Sequence, residues 1–262
     1  MDLSFIILTW NSEKYIAKCL SSIAFSLGNS ALQYEVLIVD NGSKDNTVKI
    51  IEEEKDAKIH LIRLDRNAGT TYPRNLAIKK SKGQFICVMD SDVEIQAGTV
   101  EKLIEDLSKN GLMGIAAPKM IYSDGRRQKT TDHFPTIYRK IIRYFFLRQI
   151  ERSEETDEKY NTPHEVDYAI SALWVFKRDI IKKIGLFDEK ILYSPEDVDF
   201  CLRVWKAGHH IFYDPGVSAV HHTQEITRNF RCNNATIEHI KGLLYYLRKH
   251  KYFFRAPTFK SK

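Results

Sequence analysis

The chain predicts an α/β protein with a mostly parallel central sheet flanked by helices, and two observations carry that expectation. Short apolar runs alternate with segments of helical periodicity through the first half. Each run also ends in polar, turn-forming residues. Repeated strand–helix units imply right-handed crossovers, which place ligands at the carboxyl ends of the strands.

Leu3 to Thr9 is the first apolar run, ending at Asn11 and Ser12, and Ile16, Cys19, Leu20, Ile23 and Leu27 then recur at helical spacing. Tyr34 to Val39 is the second strand, closed by Asp40, Asn41, Gly42 and Ser43, with a helix through Val48 to Ile51. Ile59 to Leu64 is the third, followed by the polar loop Asp65 to Gly69. Pro73 suits the first turn of a helix running to Lys80. Phe85 to Met89 is the fourth strand and closes in Asp90, Ser91 and Asp92.

The second half is less regular. Leu112 to Ile121 resembles a strand and Ser123-Asp124-Gly125 a turn. Tyr138 to Ile150 mixes aromatics with Arg139, Lys140, Arg143 and Arg148, and Glu151 to Lys159 reads as a mobile polar loop near substrate access. Val166 to Phe176 is apolar again, and a short helix leads to Gly185 through Glu189. Ser194-Pro195-Glu196-Asp197 carries a helix-start signature, with the serine as cap. Val198, Cys201, Leu202 and Trp205 supply the apolar face of that helix, and Gly208 ends it. In the tail, Ile237, Ile240, Leu244 and Leu247 share a helical face that reads as packed. The expected organisation is one domain over 1–225, divided near 120 into two halves, followed by a basic helical tail over 226–262.

A hydrophobic content of 43% and a charged content of 28% are those of a soluble globular protein. No stretch approaches the roughly 20 apolar residues needed to span a bilayer, and the N-terminus reads as a strand, not a signal peptide. Cys19, Cys87, Cys201 and Cys232 lack Cys-x-x-Cys spacing and read as reduced thiols, which suits a cytoplasmic setting. Seven cations after Glu238, with no acid among them, account for more than the whole net charge of +6. The nearly neutral body argues against a nucleic-acid surface. The cationic, aromatic tail suggests peripheral contact with an anionic membrane.

Asp90 and Asp92, at i and i+2 on a strand end, can turn toward one cation. Carboxylates suit manganese- or magnesium-like ions, which complete their shell with water and substrate phosphates. Glu196 and Asp197 offer a second anionic pair, although Asp197 reads equally as a capping acid. His221 offers a nitrogen ligand or a structural histidine. No Gly-x-Gly-x-x-Gly or Walker-type loop is present, so a bound diphosphate would need a cation at Asp92 as counter-charge.

The ordered runs ILTWNSEKYIAKCLSSI, VLIVDNGSKDNT, RNAGTTYPRNLAI, FICVMDSDVEI and GLFDEKILYSPEDVDFCLRVWKAGHHIFYDPGVSAVHH resemble the inverting family-two glycosyltransferases. The likeness is to the branch that includes rhamnosyltransferases and other bacterial surface-polysaccharide enzymes, and it covers Ser4 to His222. It implies the nucleotide-sugar-binding GT-A fold, a divalent metal, a nucleoside-diphosphate sugar as donor, and a saccharide or lipid-linked saccharide as acceptor. By position it implies nucleotide contacts from Thr9, Asn11, Asp40, Asn67, Arg74, Asn75, Asp90 and Ser91. It implies metal contacts from Asp92 and His221, and a general base from Asp197 of the Glu196–Asp197 pair. Trp10 replaces the usual Tyr or Phe and is expected to pack. Ser171 stands where glycine is common, and Thr70 to Pro73 is bulkier than usual, which bears on the sugar bound. A nucleotidyltransferase and a non-catalytic sugar-nucleotide-binding protein are the alternative readings.

Overall fold

A computed structural model describes residues 1–139, 142, 158–223 and 234–259. Strands β1 (Leu3–Thr9), β2 (Tyr34–Asp40), β3 (Ile59–Arg63) and β4 (Phe85–Asp90) are parallel, in the spatial order β3-β2-β1-β4. Helices α1 (Ile16–Leu27), α2 (Thr47–Glu53) and α3 (Thr71–Lys80) connect them, with Pro73 in the first turn of α3.

Beyond β4 the sheet becomes mixed. β5 (Val93–Ile95) leaves the site and is followed by α4 (Thr99–Lys109), an element the sequence reading omits. β6 (Met113–Ile121) and β10 (Leu173–Lys177) pair antiparallel, and β10 also runs antiparallel to β4, joining the two halves in one sheet. The long β11 (His210–His221) lies parallel to β6 and antiparallel to β5 and to β8 (His164–Val166). β7 (Thr131–Asp132) and β9 (Tyr168–Ala169) form a separate two-stranded ribbon. The aromatic–basic stretch after Arg139 and the polar run to Lys159 lie largely outside the described residues.

Side chains alternate between two cores, as strand pleating requires. Leu3, Phe5 and Ile7 of β1, with Cys87 and Met89 of β4, pack under α1 and α4. Ile6, Leu37, Val39, Ile86 and Val88 face the other core, with Trp174, Phe176 and the apolar side of α6 (Glu196–Lys206). The central strands are covered on both faces, so they read as continuous apolar runs.

α5 (Asp179–Ile184) is the short helix expected before Phe187, and α6 begins where its acidic start was expected. The cap is different. Pro195 occupies the N-cap position and supplies no side-chain cap; Ser194 lies one residue too early, and Asp197 Oδ1 accepts from the Val198 amide at 2.8 Å. Glu196, Asp197 and Asp199 in the first turn supply the negative charge that a helix N-terminus favours.

The tail forms α7 (Asn234–His250), but the expected packing of its apolar stripe is overturned. Of the four residues, only Leu247 is buried; Ile237, Ile240 and Leu244 are exposed. α7 docks instead through Tyr246, Leu247 and the half-buried Leu243. Lys249 reaches Asp188 at 2.7 Å and Asp199 at 2.6 Å, and His250 reaches Asp199 at 2.8 Å. Gly242 lets the helix approach Ser194 closely, since a Cβ there would collide with the Ser194 carbonyl oxygen.

Candidate active site

Register brings the polar strand ends together: Thr9 lies beside Asp40, and Leu8 beside Asp90. Thr9 Oγ1 and Asp40 Oδ1 are buried with no hydrogen-bond partner. The other Asp40 oxygen accepts from the Ser43 amide at 3.1 Å. Orphaned buried polar atoms are costly, so a pair of them at adjoining strand ends suits a polar ligand. Asn11, at positive φ, accepts from the Lys44 amide and donates its own amide to Ser43 Oγ, locking these two loops together. Trp10 does not pack as expected: it is 45% exposed beside them. It lies in the bend just past β1, outside the strand whose side chains alternate into the two cores.

Asn67 Oδ1 accepts from Asn41 Nδ2, the Gly69 amide and Tyr193 OH, each at 3.0 Å. The Thr70 amide donates to the Leu192 carbonyl at 2.6 Å. The loop after β3 is thereby fastened to the segment leading into α6. Asn75 is turned toward the segment before α6. Its amide bonds the Phe187 carbonyl and Glu189, and its oxygen accepts from the Phe187 amide.

Arg74, buried on α3, is the hub between the two acidic groups. Nη2 donates to Asp90 at 2.8 Å, while Nη1 donates to Ser171 Oγ at 2.8 Å and to Glu196 at 3.0 Å. One guanidinium therefore links β4, the turn before β10 and the start of α6. Burial raises the Asp90 carboxyl above the usual range; Asp92 adds repulsion and Arg74 opposes it. Burial, followed by the charge of Asp197, pushes Glu196 up to about 8, against the pull of Arg74. Burial alone would lower Arg74, but Asp90 and Glu196 outweigh it and hold the guanidinium charged.

The second group centres on Asp92 and His221. β5 pairs with the end of β11, setting His221 opposite Val93, and the His222 amide donates to the Asp92 carbonyl at 2.9 Å. His221 Nε2 lies 3.4 Å from Asp92 Oδ1, and Nδ1 bonds Gln128 Oε1 at 2.9 Å. With Gln128 accepting from Nδ1, Nε2 is the nitrogen left for a ligand. Burial disfavours the imidazolium, but the neighbouring Asp92 and then Asp90 raise the His221 pKa. Asp90, Asp92 and His221 offer ligand atoms within 4.8 Å of one another. Two carboxylate oxygens and an imidazole nitrogen fit a divalent ion with positions left for water or phosphate.

Ser91 Oγ meets Ser12 Oγ at 2.8 Å, so its described hydroxyl contact is within the protein. Asp197 sits half-buried in the first turn of α6, next to Glu196. Gln128 and Ser12 were not anticipated. Neither has a local signal: their partners lie 93 and 79 residues away.

Residues 4–185 match the model of glycosyl transferase family 2. The chain is 27% identical over 210 residues to the poly(ribitol-phosphate) β-N-acetylglucosaminyltransferase TarS of Staphylococcus aureus, covering 74% of this chain and 35% of that protein. It is 23% identical over 248 residues to the succinoglycan biosynthesis protein ExoO of Rhizobium meliloti, covering 93% of this chain and 66% of that one. It thus spans about a third of TarS and two thirds of ExoO. Its fold is similar to that of GalNAc-T7 crystallised with UDP, GalNAc and Mn2+, with a TM-score of 0.70 at 15% identity over 94% of this chain and 48% of that one. The parallel strand ends, the acidic cleft and the family match agree: this chain belongs to glycosyl transferase family 2.

Proposed function

We propose that the protein is an inverting, metal-dependent glycosyltransferase that moves a hexose from a uridine-diphosphate sugar to a hydroxyl of a surface-polymer precursor. The carrying observation is the convergence at one sheet edge of the orphaned Thr9 and Asp40 atoms, the Asp90–Asp92–His221 group and the start of α6. TarS has been crystallised with UDP-GlcNAc, and TarS and ExoO act, by their names, on poly(ribitol phosphate) and in succinoglycan biosynthesis. Those names support a uridine-diphosphate sugar as donor and a surface polymer as acceptor.

Thr9 and Asp40 would receive the nucleoside, with Asn11 and Asn67 shaping the loops around it. Residues 1–120 would form the donor half and 121–225 the acceptor half. Asp92 and His221 would hold a manganese or magnesium ion, which supplies charge neutralisation for the departing diphosphate. Asp197 would take the proton from the acceptor hydroxyl as its oxygen bonds the anomeric carbon and the carbon–diphosphate bond breaks, leaving UDP. Glu196, held by Arg74, positions Asp197 rather than competing for the proton.

The test is incubation of the protein with UDP-hexoses and deoxyhexose nucleotides, manganese and saccharide acceptors. Release of UDP with formation of an inverted glycoside is expected, read by the anomeric coupling in NMR. Release of pyrophosphate would indicate a nucleotidyltransferase, and donor binding without turnover a binding protein; either sinks the reading.

A further inference from the structure

α7 presents an apolar, cationic face that nothing among the described residues covers. Ile237, Ile240 and Leu244 are 49%, 51% and 56% exposed. At 3.6 residues per turn they fall with Lys241 and Arg248 within about 100° of the helix circumference. Phe253 and Phe254, 41% and 75% exposed, follow the helix between the exposed Lys251 and Arg255. No described helix is long and apolar enough to cross a membrane.

The cations on α7 divide by side. Lys249 and His250 face inward and are bound by Asp188 and Asp199. Arg248, Lys251 and Arg255 face outward and make no ion pair among the described residues. Glu238 is an acid beside the stripe, and it is tied to Lys241 at 2.7 Å. Apolar residues flanked by unpaired cations match the interfacial region of an anionic bilayer, where acyl chains accept the apolar stripe and headgroups accept the cations. A second copy would bring the same cations to a shared apolar face, with Glu238 already tied to Lys241, so it fits less well.

We propose that this face of α7 docks on an anionic lipid surface. The opposite side of the helix, at Gly242, abuts Ser194, two residues before Glu196. Docking would therefore hold the start of α6, and with it Asp197, close to the membrane, where a lipid-linked acceptor is presented. That last link rests on the function proposed above; the lipid contact itself does not.

Vesicle flotation of the full chain tests it, using phosphatidylcholine vesicles with and without phosphatidylglycerol. Wild-type protein is expected to float with the anionic vesicles. The double variant Ile240→Asp/Leu244→Asp should lose at least about tenfold in partitioning, and Arg248→Glu/Lys251→Glu should lose the preference for anionic lipid. All four positions are exposed, so unchanged melting and unchanged UDP release with a soluble acceptor are expected in both variants. Equal flotation of wild type and variants, or indifference to phosphatidylglycerol, overturns the proposal. So does light scattering that shows a dimer abolished by Leu244→Asp together with no flotation of the wild type. UDP release is read separately, so failure of the transferase reading leaves a lipid result intact, and the reverse.

Discussion

Asp90 and Glu196 share the Arg74 guanidinium at 2.8 and 3.0 Å, whereas Asp92 faces His221 at 3.4 Å and is half-buried toward the cleft. These acidic groups serve the protein differently. The Arg74 group sets two carboxyls on one buried guanidinium, so it ties the end of β4 to the start of α6. The Asp92–His221 group leaves negative charge and ligand atoms in reach of a cation. Carboxylates that find partners in the fold position the site; those left short of positive charge are where a ligand binds.

Removing the hub should have the largest effect. Arg74→Ala strands the buried Glu196 and removes the partner of the part-exposed Asp90; loss of one partner from a buried pair typically costs about 3–5 kcal/mol, and less where solvent reaches the other. A large drop in denaturation midpoint is expected, together with loss of donor binding. Arg74→Ala melting like wild type would show that the two acidic groups are not joined through this residue.

Asp197→Asn should separate catalysis from architecture. Transfer should fall by about 10²–10⁴-fold, with melting and nucleotide affinity near wild type. Turnover retained in this variant would remove Asp197 as the base.

Glu196→Gln sharpens the same distinction. The amide oxygen can still accept from Arg74, so transfer should fall by less than the Asp197 change. The stability effect depends on pH. The carboxyl is raised from its ordinary value of 4.5 to about 8 in the folded protein, so its contribution is fully present below the ordinary value. That contribution is lost as pH rises through about 8. Denaturation midpoints across this window should decline less in Glu196→Gln than in wild type, and parallel curves would contradict the assignment.

β1, β2 and β4 were legible as largely apolar runs covered on both faces, and β3, a half-exposed edge strand, by Ile59, Leu61 and Ile62; each has turn residues at its end. Their register then follows from the crossovers, and Thr9, Asp40 and Asp90 fall on one edge. α4 had a readable signal that the sequence reading passed over: Val100, Leu103, Ile104 and Leu107 recur at helical spacing and are all buried. α7 was legible as a helix but not in its facing. Its two apolar arcs compete, and the choice is made by Gly242 against Ser194 and by Asp188 and Asp199, far upstream. Arg74 was expected at the nucleotide and was found between Asp90 and Glu196. Its partners lie 16, 97 and 122 residues away, so no local pattern announces the role. The same holds for Gln128 behind His221.

The contrast between the two acidic groups is tested most directly by calorimetry of UDP binding to wild type and Asp92→Ala, with and without manganese. Wild type is expected to bind UDP more tightly with manganese. Asp92→Ala should fold normally, keep the metal-independent part of the affinity contributed around Thr9 and Asp40, and lose the manganese-dependent increment. A manganese-dependent increment of wild-type size in Asp92→Ala would contradict the account.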